Sequence, residues 1–145
     1  MKHWHGMWAR QSMVIETDGG FWLVLGLMGL LFPLRILAGI LMAAAVHELG
    51  HILALRLCGT KIRCIRLRIG GATILAAPLP PGWELLCILA GPGFGALTIL
   101  AWKAFPELAV AGLLQTVFNL LPFPNLDGGR ALRNICCKMR RFGVQ

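Results

Sequence analysis

Apolar residues along this 145-residue chain gather in four runs, and the polar positions between them set how each run is read. The first, Gly20 to Phe32, would extend about 20 Å as a helix at 1.5 Å per residue, against a hydrocarbon layer of about 30 Å. To span, it must thin the bilayer or begin earlier, at Met13; as a re-entrant segment it would leave the amino terminus outside. Pro33 and Arg35 break the pattern before a second run, Ile36 to Leu57, which is long enough to cross. The third runs from Trp83 to Phe105 and the fourth from Leu108 to about Asp127, joined only by Ala104 to Glu107 around Pro106. Between the second and third lies KIRCIRLRIGGATILAAPLPPG, where basic and apolar residues alternate, register slips at Cys64-Ile65, and Gly70-Gly71 offers a turn. This predicts a β-hairpin over about 61–77 with an arginine-rich edge, ended by Pro78, Pro80 and Pro81.

Composition agrees with a lipid environment: 57% of residues are hydrophobic and 14% charged, with a mean hydropathy of +0.73. The formal charge of +8 does not point to nucleic acid, because the basic residues interleave with apolar runs instead of forming a soluble face. They read as topology signals. Lys2, Arg10, Arg56, Lys61, Arg63, Arg66, Arg68, Arg130, Arg133, Lys138, Arg140 and Arg141 fall on one side of the membrane, and only Arg35 and Lys103 on the other. The crowded side is expected to be cytoplasmic, with both termini there. Glu16 and Asp18 interrupt the approach to the first run and no small-residue cleavage site follows, so that run is expected to be retained. Trp4 and Trp8, with His3 and His5, read as interfacial anchoring sequence. The five cysteines form no CxxC pair and are expected to be ordinary thiols in a reducing compartment; acylation of Cys136-Cys137 is the lesser alternative.

The chemistry concentrates in the second run. His47 and His51 stand at i and i+4, one turn apart on one helix face, where two imidazole nitrogens can reach one zinc ion. Glu48 lies within 100° of both around the helix, placed to act on water at the metal. Three ionisable residues within five positions of a spanning helix need a shared partner, and a divalent metal is the natural one. Catalytic zinc sites usually hold three protein ligands and a water, so another carboxylate is expected. Glu84 and Glu107 flank spans and can reach water. That leaves Asp127, which ends FNLLPFPNLDGG, a stretch where Pro122 and Pro124 break the helix and Gly128-Gly129 permit close backbone approach. A turn or helix-cap role for Asp127 is the alternative. The glycines at 91, 93 and 95 read as small-residue helix contacts, not as a phosphate loop.

HELGH, IGG after a basic strand, AGPGFG and NLLPFPNLDGG, in that order over roughly Phe21 to Arg133, resemble the site-2 protease family of intramembrane metalloproteases, particularly small bacterial members that process a sporulation sigma-factor precursor. The resemblance implies a three-helix catalytic core formed by the second to fourth runs. It implies His47, His51 and Asp127 as ligands of one zinc per chain and Glu48 as catalytic base, with Asn119 and Pro122 in a bent segment shaping the substrate cleft. The third motif continues Gly-Phe-Gly, without the polar residue often found there. No PDZ or CBS module is recognisable, so regulation by such parts is not expected, which leaves room for a regulatory membrane partner.

The expected fold is therefore all-α and polytopic, about four transmembrane helices with a small membrane-associated hairpin, in one domain over 1–145 with its core at about 36–133. The expected function is intramembrane proteolysis of a transmembrane or membrane-tethered protein, in the bilayer of a bacterial cell and without nucleic acid. A catalytically idle zinc-holding regulator is the main rival and a metal-transport module the second. Transport would favour an ionisable path across the bilayer, whereas these polar residues cluster at one level.

Overall fold

Pro33 separates the first two helices of the computed structural model, which describes residues 14–79 and 82–142. Helix α1 spans Gly19–Leu31, started by the Asp18 carboxylate, which accepts from the Phe21 amide at 2.8 Å. Pro33 then stands at the N-cap of α2, Leu34–Leu57, where its missing amide N–H costs no helical bond. Helix α3 covers Glu84–Leu97 and tightens into a 3₁₀ turn at Thr98–Ala101. Helix α4 is Pro106–Asn119, with proline in its first turn, and α5 is Asp127–Phe142.

Helices α2, α3 and α4 pack on one another as a three-helix unit, α5 lies against α3, and α1 buries none of its side chains. The fourth apolar run is thus not one helix: α4 ends at Asn119, a loop follows, and Asp127 opens α5. The run reads as continuous because Leu120, Leu121, Phe123 and Leu126 keep the loop apolar. Pro122 and Pro124 interrupt the backbone regardless.

The hairpin forms as β2, Ile62–Arg68, antiparallel to β3, Gly71–Ala76, turning at Gly70-Gly71, where Gly71 adopts a φ of 110°. Its register shift falls between Ile62 and Cys64, slightly before the expected Cys64-Ile65. The expected arginine-rich edge requires correction. A further strand, β1 (Val14–Thr17), pairs parallel with β2, so the arginine-bearing strand is central and the outer strands are β1 and β3. Strand β1 escapes sequence reading because it has only four residues and all are exposed. Glu16 accepts from the Arg66 guanidinium at 2.7 Å, and that hydrogen bond and charge hold the Glu16 carboxyl below the usual carboxylate range. The amino-terminal anchoring sequence (Trp4, Trp8, His3, His5), the basic residues Lys2 and Arg10, and Pro80 and Pro81 lie outside the described residues.

Burial is inverted relative to a water-soluble domain. Leu30, Leu34 and Leu57 are 86%, 81% and 84% exposed, and among the described residues no large side chain is fully buried. The interior is made of small and polar residues: Gly39, Ala43, His47, Gly50 and Ala54 form the inward stripe of α2. This is how helices associate in lipid, where close backbone approach supplies the packing and large side chains face the acyl chains. A Cβ on Gly39 would lie 2.8 Å from the Cβ of Glu107, and one on Gly50 2.5 Å from the Ala90 carbonyl oxygen. At the Gly39 end, Arg35 pairs with Glu107 at 2.7 Å, tying the starts of α2 and α4 together.

Gly50→Ala should therefore lower the thermal unfolding midpoint in detergent, since overpacking a tight contact typically destabilises by about 1–3 kcal/mol. Gly26→Ala, where an added Cβ meets nothing within 4 Å, should leave the midpoint unchanged or raise it. Equal midpoints for the two variants would contradict the proposed α2–α3 contact.

Candidate metal centre

On α2, the i and i+4 positions carry His47 and His51 to one face, with ring centroids 4.9 Å apart. Residue 127 arrives from the other end of the chain, at the first position of α5. His47 Nε2 lies 3.1 Å from Asp127 Oδ2, His51 Nε2 lies 3.2 Å from the same oxygen, and the two Nε2 atoms are 3.2 Å apart. His47 and Asp127 are buried, 3% and 6% exposed, and His51 is nearly so.

The tautomer of His51 decides what this triangle can be. Its Nδ1 lies 2.8 Å from the carbonyl oxygen of Cys87, which can only accept, so Nδ1 carries the hydrogen. In the neutral ring, Nε2 then presents a lone pair to the Asp127 oxygen and to His47. Lone pairs converging at 3.1–3.2 Å are relieved by a hydrogen or a metal ion among them. A proton can relieve only one of the three contacts, whereas a metal relieves all three. Tetrahedral donors at 2.0–2.1 Å from zinc stand about 3.3–3.4 Å from one another, close to this triangle. The donor set therefore fits a divalent metal, with three protein ligands and a fourth position left over.

Two backbone approaches hold the triangle in place. A Cβ on Gly91 would collide with the His51 imidazole, so α3 can lie against that ring only as glycine. A Cβ on Gly128 would collide with the Leu120 carbonyl, and one on Gly129 with the Phe123 carbonyl. The 120–126 loop thus folds back onto the first turn of α5, and both glycines after Asp127 are required by that contact. The loop is fastened further by the Arg133 guanidinium, which donates to the Pro124 carbonyl at 3.1 Å. The second oxygen of Asp127 faces Arg130, at 3.5 Å.

Glu48 follows His47 on the same turn and is half-buried. Among the described residues it is the only acid engaged in no hydrogen bond or ion pair. Glu84 instead accepts from the Asn134 amide of α5, and Glu107 pairs with Arg35, so neither late alternative reaches the histidines. Asn119 is the last residue of α4, partly buried, and Pro122 is exposed in the following loop; among the described residues no side-chain hydrogen bond links either to the donor triangle.

Of the three glycines in AGPGFG, Gly91 meets His51, Gly95 meets Thr116 of α4, and Gly93 meets nothing. Sequence reading misses the Cys87 carbonyl, because a backbone acceptor has no residue signature. It also passes over Arg130, although its i+3 spacing from Asp127 is a usable signal.

No protein-family model matches the chain. A Mycobacterium tuberculosis protein named as the zinc metalloprotease Rip3 is 33% identical over 150 residues, covering 90% of this chain and 37% of its own length. A protein of Methanocaldococcus jannaschii, also named a zinc metalloprotease, is 28% identical over 141 residues, covering 88% of this chain and 38% of its own length. The chain thus spans less than two fifths of these curated relatives. The solved structure of a site-2 protease from M. jannaschii superimposes with a TM-score of 0.69 at 26% identity, covering 86% of this chain and 67% of that one. The shared helical architecture, the relatives named for zinc and the buried His-His-Asp triangle together support the site-2 protease family for this chain.

Proposed function

We propose that the chain is an intramembrane zinc endopeptidase holding one zinc ion on His47, His51 and Asp127, and that it cleaves a transmembrane or membrane-tethered protein in regulated proteolysis. The observation that carries this reading is the His47–His51–Asp127 triangle, with the unengaged carboxylate of Glu48 one residue from a ligand. Zinc, when bound, supplies Lewis acidity, polarising a peptide carbonyl and easing the deprotonation of water. The Cys87 carbonyl keeps His51 in the tautomer whose Nε2 can ligate, and the second oxygen of Asp127 stays with Arg130. Glu48 takes the proton from water and returns it to the leaving amine nitrogen. The substrate helix must unwind locally, since an intact helix hides its carbonyls in hydrogen bonds. Asn119 and Pro122 shape the cleft that receives it, at the break between α4 and α5.

In this reading the whole chain is one membrane-embedded domain with about four spans, α4 and α5 together making the last crossing. Helix α2 and the stretch Glu84–Ala101, α3 with its 3₁₀ turn, are each long and apolar enough to cross, and α1 does so by thinning the bilayer. The ends of α2 and α3 that meet the sheet face the cytoplasm, as do both termini, and the Arg35–Glu107 end faces outward. A membrane partner supplies regulation.

Reporters fused after Arg68 and at the carboxyl terminus should both read cytoplasmic, and one at Lys103 external; an external reading at Arg68 sinks this topology.

Purified protein should carry about one zinc per chain. Glu48→Gln should keep it while cleavage of a tagged single-span substrate falls by roughly 10²–10⁴-fold, the usual loss for general acid–base catalysis. Asp127→Ala and His47→Ala should lose metal and activity together, and Glu107→Ala should keep zinc. Wild-type cleavage by Glu48→Gln refutes the mechanism. Zinc without cleavage across a broad substrate panel would favour the idle regulator.

Gly128→Ala retains every proposed ligand, yet it should lower zinc content, because the added methyl drives the 120–126 loop away and moves Asp127. Full zinc occupancy in that variant would show that the loop contact does not position the carboxylate.

A further inference from the structure

Cys58 and Cys87 are 29 residues apart in sequence, yet their sulfur atoms lie 3.6 Å apart. Cys58 caps the end of α2 and is half-buried; Cys87 is buried in the first turn of α3. A disulfide has a sulfur–sulfur distance of about 2.05 Å, so closure requires roughly 1.5 Å of relative movement or side-chain rotation. Cys87 carries a second contact of consequence: its carbonyl accepts the Nδ1 hydrogen of His51 at 2.8 Å. The thiol pair and the hydrogen bond that orients His51 thus both join the carboxyl-terminal half of α2 to the first turn of α3, about two turns apart along α2.

We propose that Cys58 and Cys87 form a reversible disulfide that loosens the hold on zinc, making the proteolytic centre responsive to thiol redox state; this rests on the metal-centre reading above. The oxidant class is a small-molecule disulfide. Cys58, the more accessible thiol, loses its proton and attacks one sulfur of that disulfide, expelling one small thiolate. Cys87 then loses its proton and attacks the Cys58 sulfur, expelling the second. Two protein thiols lose two electrons and two protons, and the small disulfide is reduced to two thiols. Intracellular disulfides are commonly transient and redox-sensing, which suits a pair at the end of the helices read as cytoplasmic. Closing the gap shifts the last turn of α2 against the first turn of α3. The His51–Cys87 bond spans that joint, so the shift misaligns the imidazole. Losing such an orienting contact typically weakens metal affinity by about 10–100-fold.

The test uses the full chain in detergent, loaded with zinc, with Cys136→Ser and Cys137→Ser silencing the exposed thiols. Oxidised glutathione is added, the link is located by peptide mass spectrometry, and zinc affinity is measured by competition with a chromophoric chelator. The expected result is an intramolecular Cys58–Cys87 link, zinc affinity reduced by about 10–100-fold, and recovery on reduction with a phosphine. Cys58→Ser, and separately Cys58→Ala, should bind zinc like the reduced parent and ignore the oxidant. The proposal is overturned by zinc-loaded parent that forms no link, that stops at a mixed disulfide on Cys58, or that forms the link without change in zinc affinity. A reduced parent that binds no zinc would instead overturn the metal-centre reading itself, and this proposal with it.

Discussion

Close backbone approach to α2 is the constraint on which the donor triangle depends. Where a soluble core would place leucines, the inward stripe has Gly39, Ala43, Gly50 and Ala54 around His47. Gly91 on the facing helix lets α3 reach His51, and Gly128 and Gly129 let the loop before α5 settle against its own helix. A Cβ at Gly39, Gly50, Gly91, Gly128 or Gly129 would collide with the neighbour that its glycine admits. In lipid this arrangement carries little hydrophobic penalty, because the displaced large residues are as well solvated by acyl chains as by protein. Packing and metal chemistry thus ask for the same small residues.

The acidic residues follow a related logic. The chain has six, and each sits where a charge is tolerable. Asp18 caps α1, Glu16 meets Arg66, Glu107 meets Arg35, and Glu84 binds Asn134. Asp127 faces the two histidines and Arg130. Among the described acidic residues only Glu48 is held by no hydrogen bond or ion pair, which on the proposed reading leaves its carboxylate free to move a proton. Two carboxylates beside two neutral imidazoles would also balance the charge of a divalent ion in a low-dielectric surround.

Much of this was legible in the sequence because it rests on short-range rules. The i, i+4 histidines, the helix break at Pro33 and the hairpin turn at Gly70-Gly71 each follow from local periodicity or backbone chemistry. Choosing Asp127 over Glu84 and Glu107 also used local rules, and the structure brings Asp127 beside the histidines while the other two find partners at helix ends. The failures are of a different kind. Strand β1 pairs with residues 50 positions away and has no apolar alternation of its own. The split between α4 and α5 hides in an apolar loop, whose prolines signal a break but not where the next helix begins. The Cys58–Cys87 approach and the Cys87 carbonyl at His51 depend on how α3 docks, which no spacing encodes.

The triangle also has a history within synthesis. His47 precedes Asp127 by 80 residues, so two of the three proposed ligands are made well before the third. At about 5–20 residues per second, that interval is roughly 4–16 s. During it the growing chain holds two of the proposed ligands without the third, too few to retain zinc firmly. The complete donor set therefore arrives last, after the sheet and both intervening helices have been made. On the reading proposed above, a partly inserted chain lacks the complete centre and would be silent towards its neighbours at the insertion site.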